Sequence, residues 1–154
     1  MMNIQNLIYQ HGLQPADVIV VGRSLGLAAH YLVYMGEGAY GPYFMANLES
    51  GVKRMSLQEV QRRSGEFFFK RIRRFDGNHY QRQQALQRAH NANGRSYSLT
   101  SFNCEHFANL VQFGEASSQQ VQAVGTVAVV SLAFLVLGAI FGGGGDGRSS
   151  KRYS

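Results

Sequence analysis

The sequence predicts an α+β domain followed by a hydrophobic C-terminal helix. Three observations point there. Val18–Val21 is a β-branched run, and His30–Met35 places His30, Leu32 and Tyr34 on one strand face and Tyr31, Val33 and Met35 on the other. Gln81–Asn93 has helical composition, and Cys104–Phe113 spaces Phe107, Leu110 and Val111 as a helix core face would. Ala123–Phe141 then runs through 19 positions without a charge, close to the roughly 20 residues that carry a helix across a hydrocarbon core.

The remaining elements follow in chain order. Asn3–His11 reads as a short helix with Ile4, Leu7 and Ile8 on one stripe. Gln14-Pro15-Ala16-Asp17 is a turn before the first strand, and Gly22–Gly26 a loop after it. Gly36-Glu37-Gly38 is predicted as the turn ending the second strand, and Tyr43–Leu48 as the third. Ser56 with Glu59 forms a capping box for a helix over Leu57–Arg63. Glu66–Phe75 is a strand in which Phe67, Phe69 and Arg71 alternate with Phe68, Lys70 and Ile72. Gly94 is expected just past the end of the next helix, and Tyr97–Thr100 is a short extended piece.

At 154 residues, with 45% hydrophobic content, the chain has material for one ordinary domain and is not a disordered polymer. A lone cysteine excludes a disulfide scaffold and a zinc site built on cysteine pairs. The organisation read from these patterns is a body over residues 1–115, a linker at 116–122, a membrane helix at 123–141 and a flexible basic tail at 142–154. Gly138 and Gly142 form a small-xxx-small pair, pointing to a homo-oligomer through that helix. No charged n-region or long apolar run precedes residue 17, so no signal peptide is expected and the body is placed in the cytosol.

The net charge of +6 includes a cluster of Arg62, Arg63, Lys70, Arg71, Arg73 and Arg74. Nucleic-acid binding would want exposed aromatics among those cations. The alternating strand and the membrane segment instead assign the charge to anionic lipid.

Chemistry concentrates at two places. Cys104 sits where a helix begins, and the partial positive charge of a helix N-terminus favours a thiolate. The alternative is a small buried hydrophobe. His30 opens a strand next to a small-residue loop, from which it reaches a cleft; the alternative is a satisfied core histidine. His106, two residues from Cys104 on one helix, points elsewhere. His11, His79 and His90 have polar surroundings and are expected at the surface.

Asn103-Cys104-Glu105-His106-Phe107 is similar to the NCEHF box of the lecithin:retinol acyltransferase (LRAT) family, which includes small phospholipase/acyltransferases. Upstream, Pro15-Ala16-Asp17-Val18-Ile19 resembles the family's opening turn and strand. His30-Tyr31-Leu32-Val33-Tyr34-Met35-Gly36-Glu37-Gly38 resembles its His-box, and Gly94-Arg95-Ser96-Tyr97-Ser98-Leu99 its lead-in to the cysteine. The likeness spans about residues 13–112. It implies a permuted, papain-like NlpC/P60-type core with an antiparallel sheet packed on helices. It also implies Cys104 as nucleophile, His30 as general base, a thioester intermediate and no metal or cofactor. The Cys104 backbone N–H would serve an oxyanion hole. The implied partners are a phospholipid or other acyl-lipid substrate and a membrane, with no nucleic acid. The animal enzymes carry a second histidine on the following strand, whereas no histidine lies here between His30 and His79. Asn47 is the candidate for its orienting role, with Tyr43 as fallback. A thiol peptidase or amidase, or a non-catalytic membrane-associated module, would use the same fold.

Overall fold

The computed structural model describes residues 3–23, 29–63 and 67–116. The predicted membrane helix at 123–141, most of the linker and the basic tail lie outside the described residues. Among the described residues no helix is long and apolar enough to cross a membrane.

The element order is α1 (Ile4–Gln10), β1 (Val18–Arg23), β2 (Ala29–Gly38), β3 (Gly41–Leu48), β4 (Gly51–Ser56), α2 (Leu57–Arg63), β5 (Phe67–Arg73), α3 (His79–Asn91) and α4 (Cys104–Phe113). The five strands form one antiparallel sheet ordered β4-β3-β2-β1-β5. Val18, Val20, Tyr31, Val33 and Met45 on one face pack with Ala85 and Ala89 of α3 and with Phe107 and Val111 of α4. Ile19, Val21, Leu32, Tyr34 and Phe44 on the other face pack with Ile4 and Ile8 of α1 and with Val60 of α2. Helices thus cover both faces. That is why β1 reads as an unbroken apolar run instead of an alternating one: all four of Val18–Val21 are buried.

Four sequence expectations are corrected. Gly36-Glu37-Gly38 is not a turn; it continues β2, and the turn falls at residues 39–40. Gly36 has φ +94° where the β2–β3 register shifts, so this glycine marks a bulge, and the turn lies beyond it. Strand β4 was not expected at all. Its Val52 is bound at both backbone groups to the segment after α3, through Val52 N–H to Arg95 O and Gly94 N–H to Val52 O. The α3 C-cap is Ala92, so Gly94, with φ +79°, lies one residue further out than predicted. Nor does β5 keep a simple alternation. A bulge opposite Val20/Val21 leaves Lys70 out of register and returns Ile72 to the face of Phe67 and Phe69.

The basic cluster also divides. Arg73 turns inward, donating from Nη1 to Asn109 Oδ1 (2.7 Å) with its guanidinium between the rings of Tyr31 and Phe113. Arg74 pairs with Asp17 (2.8 Å). Asp17 is almost wholly buried and joins three segments. Oδ2 accepts from the Gln14 N–H and from Arg74, and Oδ1 accepts from the Phe75 N–H and lies 3.6 Å from Arg82 of α3. Arg82 also donates to Pro15 O. One carboxylate thereby fixes the turn before β1, the chain after β5 and the start of α3.

Asp17→Ala leaves two backbone donors without their acceptor and the mostly covered Arg82, which keeps Pro15 O, without its counter-ion, whereas the half-exposed Arg74 loses little. We expect a loss of about 3 kcal/mol in urea unfolding. A loss below about 1 kcal/mol would show that the carboxylate is not the pin described here.

Candidate active site at the start of helix α4

The NCEHF segment is first a helix-starting device. Asn103 is the N-cap, with Oδ1 accepting from the N–H groups of Glu105 (2.9 Å) and His106 (3.1 Å). His106 completes a capping box, its Nδ1 accepting from the Asn103 N–H (3.2 Å). Nδ1 is therefore unprotonated, and burial lowers the pKa of this imidazole, so His106 stands as a neutral ring with its proton on Nε2. The sequence separated His106 from Cys104 correctly but missed its capping task, because Glu or Gln is the residue usually sought there. Phe107 anchors the helix in the core. At the far end, Arg88 of α3 donates to the Leu110 and Val111 carbonyls, placing a cation on the negative end of the α4 dipole.

Cys104 is the first residue of α4, as expected, and is 8% exposed. Its thiol donates to Ala29 O at 3.4 Å, which ties α4 to the first residue of β2. Of the two sequence alternatives, a thiolate favoured by the helix start and a small buried group, burial favours the protonated thiol. Burial pushes the thiol pKa up to about 11, against the backbone N–H groups of Tyr31, Cys104 and Glu105, which pull it down. Desolvation outweighs the helix terminus because the sulfur lies beneath the sheet. Glu105, also buried, accepts from the Tyr31 hydroxyl (3.2 Å) and adds to the upward shift.

His30 is the second residue of β2 and partly exposed. Its register partner is Val21, so it shares the face of Val21 and Leu32, and its ring lies 5.3 Å from that of Phe67. Cys104 belongs to the opposite face, with Tyr31 and Val33. The sulfur and the imidazole therefore approach from the two sides of the same strand end, and both line one cleft of about 660 Å³.

Asn47 lines that cleft too and is 1% exposed. Its Nδ2 donates to Phe102 O at 2.7 Å, holding the segment that leads into Asn103. Its Oδ1 has no hydrogen-bond partner among the described residues. Tyr43, the fallback, lies at the other end of β3 with the Arg54 guanidinium 4.1 Å from its ring centroid, and is not among the cleft residues. Tyr97 was quoted only as part of the lead-in motif. It lines the cleft, and its hydroxyl is shifted upward by burial and by Cys104. Leu48, Met55, Val60 and Phe67 supply apolar wall. The cleft lining thus combines sulfur, imidazole, amide and phenol with these apolar side chains and with the charged Glu49, Glu59, Arg62 and Arg63. His11, His79 and His90 are exposed, as expected. Among the described residues no group of His, Cys, Asp and Glu is placed to hold a metal.

Residues 11–117 match the model of the lecithin retinol acyltransferase family. The chain is also similar to phospholipase A and acyltransferase 1 of Rattus norvegicus, 27% identical over 142 residues, covering 82% of this chain and 84% of the relative.

Two measurements check the site. Iodoacetamide should alkylate native Cys104 about a hundredfold more slowly than an ordinary thiol at neutral pH, rising about tenfold per pH unit towards pH 11. The same upward shift makes the native state bind the proton more tightly than the unfolded one. Its contribution to stability is complete below pH 9 and is lost as pH rises to about 11. A fast, pH-independent alkylation would reveal a preformed thiolate. Asn103→Ala should cost about 1 kcal/mol in unfolding free energy through loss of the cap.

Proposed function

The chain belongs to the lecithin retinol acyltransferase family, and on that premise we propose that it is a membrane-anchored, cysteine-dependent acyltransferase or phospholipase-like hydrolase of lipid acyl esters. The observation that carries this reading is the shared cleft: Cys104 and His30 open onto one space whose wall includes the apolar Leu48, Met55, Val60 and Phe67, against which an acyl chain would lie, together with Arg62 and Arg63, which would meet a lipid phosphate. The related rat protein's name, phospholipase A and acyltransferase 1, supports the same substrate class. In this proposal residues 123–141 hold the domain to the membrane, with the catalytic body on the cytosolic side.

The chemistry proceeds in two halves. Substrate binding brings the ester carbonyl to Sγ while the His30 imidazole, turning past the end of β2, takes the thiol proton. Sulfur attacks, and the Cys104 backbone N–H faces the developing oxyanion at the helix start. Collapse breaks the ester C–O bond. His30 returns the proton to the departing lysophospholipid oxygen, leaving an acyl thioester on Cys104. Water, or an amine or alcohol, then gives its proton to His30 and attacks the thioester carbonyl; the C–S bond breaks, the acyl group leaves on the acceptor, and His30 returns the proton to Cys104 Sγ. Asn47, whose amide nitrogen is held by Phe102 O, offers its open Oδ1 to the His30 ring in the turned position. A thiol that is neutral at rest suits this order, since proton transfer and attack are then coupled to an occupied cleft.

A second reading, a lipid-binding module without turnover, draws on the strongly buried sulfur and on the missing second histidine. The two diverge on one experiment. Full-length protein in vesicles is given phosphatidylcholine with a labelled acyl chain, quenched in acid and treated with hydroxylamine. The enzymatic reading expects hydroxylamine-sensitive label on the protein, none in Cys104→Ser, and lysophospholipid release slowed about 10²- to 10⁴-fold in His30→Ala. Alkylation of Cys104 in the absence of lipid should be unchanged in His30→Ala. Vesicle-bound protein that never acquires label would establish the module instead.

A further inference from the structure

His106 holds the start of the cysteine helix through a bond that only a neutral imidazole can make. Its Nδ1 accepts from the Asn103 N–H at 3.2 Å, at the capping-box position where a Glu or Gln carbonyl oxygen would do the same. The protonated ring carries two N–H donors and no acceptor. Neither nitrogen can then take the Asn103 N–H, so no flip of the ring restores the bond. Asn103 and His106 are both buried, which makes an orphaned donor there costly. The same cap carries the framework of the site. Asn103 Oδ1 holds the N–H groups of Glu105 and His106, its Nδ2 donates to Leu99 O (3.1 Å), and the preceding carbonyl, Phe102 O, takes the Asn47 amide. Cys104 is the next residue, its thiol against Ala29 O.

We propose that His106 is a positioning residue and an acid-released latch: protonation of its ring undoes the α4 cap and opens the first turn, with Cys104, to solvent. Among the described residues two charged groups act on the imidazole. Burial is the largest influence and lowers its pKa below the ordinary 6.5. Glu105, its neighbour on α4, pulls the other way, with its carboxylate accepting from the Tyr31 hydroxyl. Arg95, on the segment after α3 and over the Phe102 ring, adds to the lowering. An opened first turn returns the ring to water and to the ordinary value, so the open form binds the proton more tightly than the closed one. The latch is complete above pH 6.5 and weakens as the pH falls below it. It does not depend on the lipid chemistry proposed above.

Cys104 is the one cysteine in the sequence, so a thiol reagent reports on this turn alone. Full-length protein in detergent, without lipid substrate, is reacted with 4,4′-dithiodipyridine, whose own protonation keeps it reactive in acid, from about pH 7.5 to about pH 4.5. Each rate is divided by that of the urea-unfolded chain at the same pH. The wild-type ratio should rise below pH 6.5 by up to about tenfold per pH unit. His106→Gln keeps an acceptor for the cap and cannot titrate, so its ratio should stay flat. His90→Gln, at an exposed site, should follow the wild type. In the wild type, exchange protection of the Glu105 and His106 amides should fall over the pH range in which the His106 ring titrates by NMR. An equal gain in His106→Gln, as acid unfolding of the whole domain would give, overturns the proposal. So does a flat wild-type ratio. Amide protection that survives protonation of the ring overturns it too, and decides alone if His106→Gln does not fold. With no lipid present, failure of the latch is distinguishable from failure of thioester formation.

Discussion

The site depends on how the first turn of α4 is held against the end of β2. Three contacts hold it: the Asn103 cap closes the helix start, the Cys104 thiol meets Ala29 O, and the Glu105 carboxylate meets the Tyr31 hydroxyl. The last two join the cysteine helix to Ala29 and Tyr31, the residues on either side of His30 in the chain. The same burial that makes these contacts specific removes water from the sulfur. Placement and protonation of the nucleophile are consequently one property: an α4 seated more loosely would have a more acidic thiol in a less defined position.

Much of the fold was legible because helices and strands here obey local rules. The Ser56–Glu59 capping box holds as predicted, with Ser56 donating to Glu59 and Glu59 N–H donating back to the Ser56 hydroxyl. Helix α4 spans the predicted Cys104–Phe113. The failures arose where long-range pairing overrode local pattern. Strand β4 carries Lys53 and Arg54 and lacks an apolar run; it is a strand because β3 pairs along it and Arg95 closes its end. Gly36 looks like turn chemistry but serves a bulge, and Lys70 at the second bulge breaks the period expected of β5.

At the site, the sequence located the cysteine and its helix but not the balance of forces on the sulfur. A motif states which residue begins a helix; it does not state how much protein covers it. Likewise, the period of two put His30 on the face of Leu32, and the structure keeps it there, but only the tertiary arrangement shows Cys104 beneath the opposite face of that strand end. Asn47 was proposed for an imidazole, yet its amide nitrogen is committed to Phe102 O, a partner 55 residues away that no local pattern announces.

The covered thiol also bears on oxidative chemistry. Peroxide attacks the thiolate, and a sulfur that keeps its proton in the resting protein offers little of that form. With no other cysteine in the sequence to reduce a sulfenic acid through a disulfide, protection has to precede damage. Burial at the start of α4 gives the chain that protection without a resolving partner.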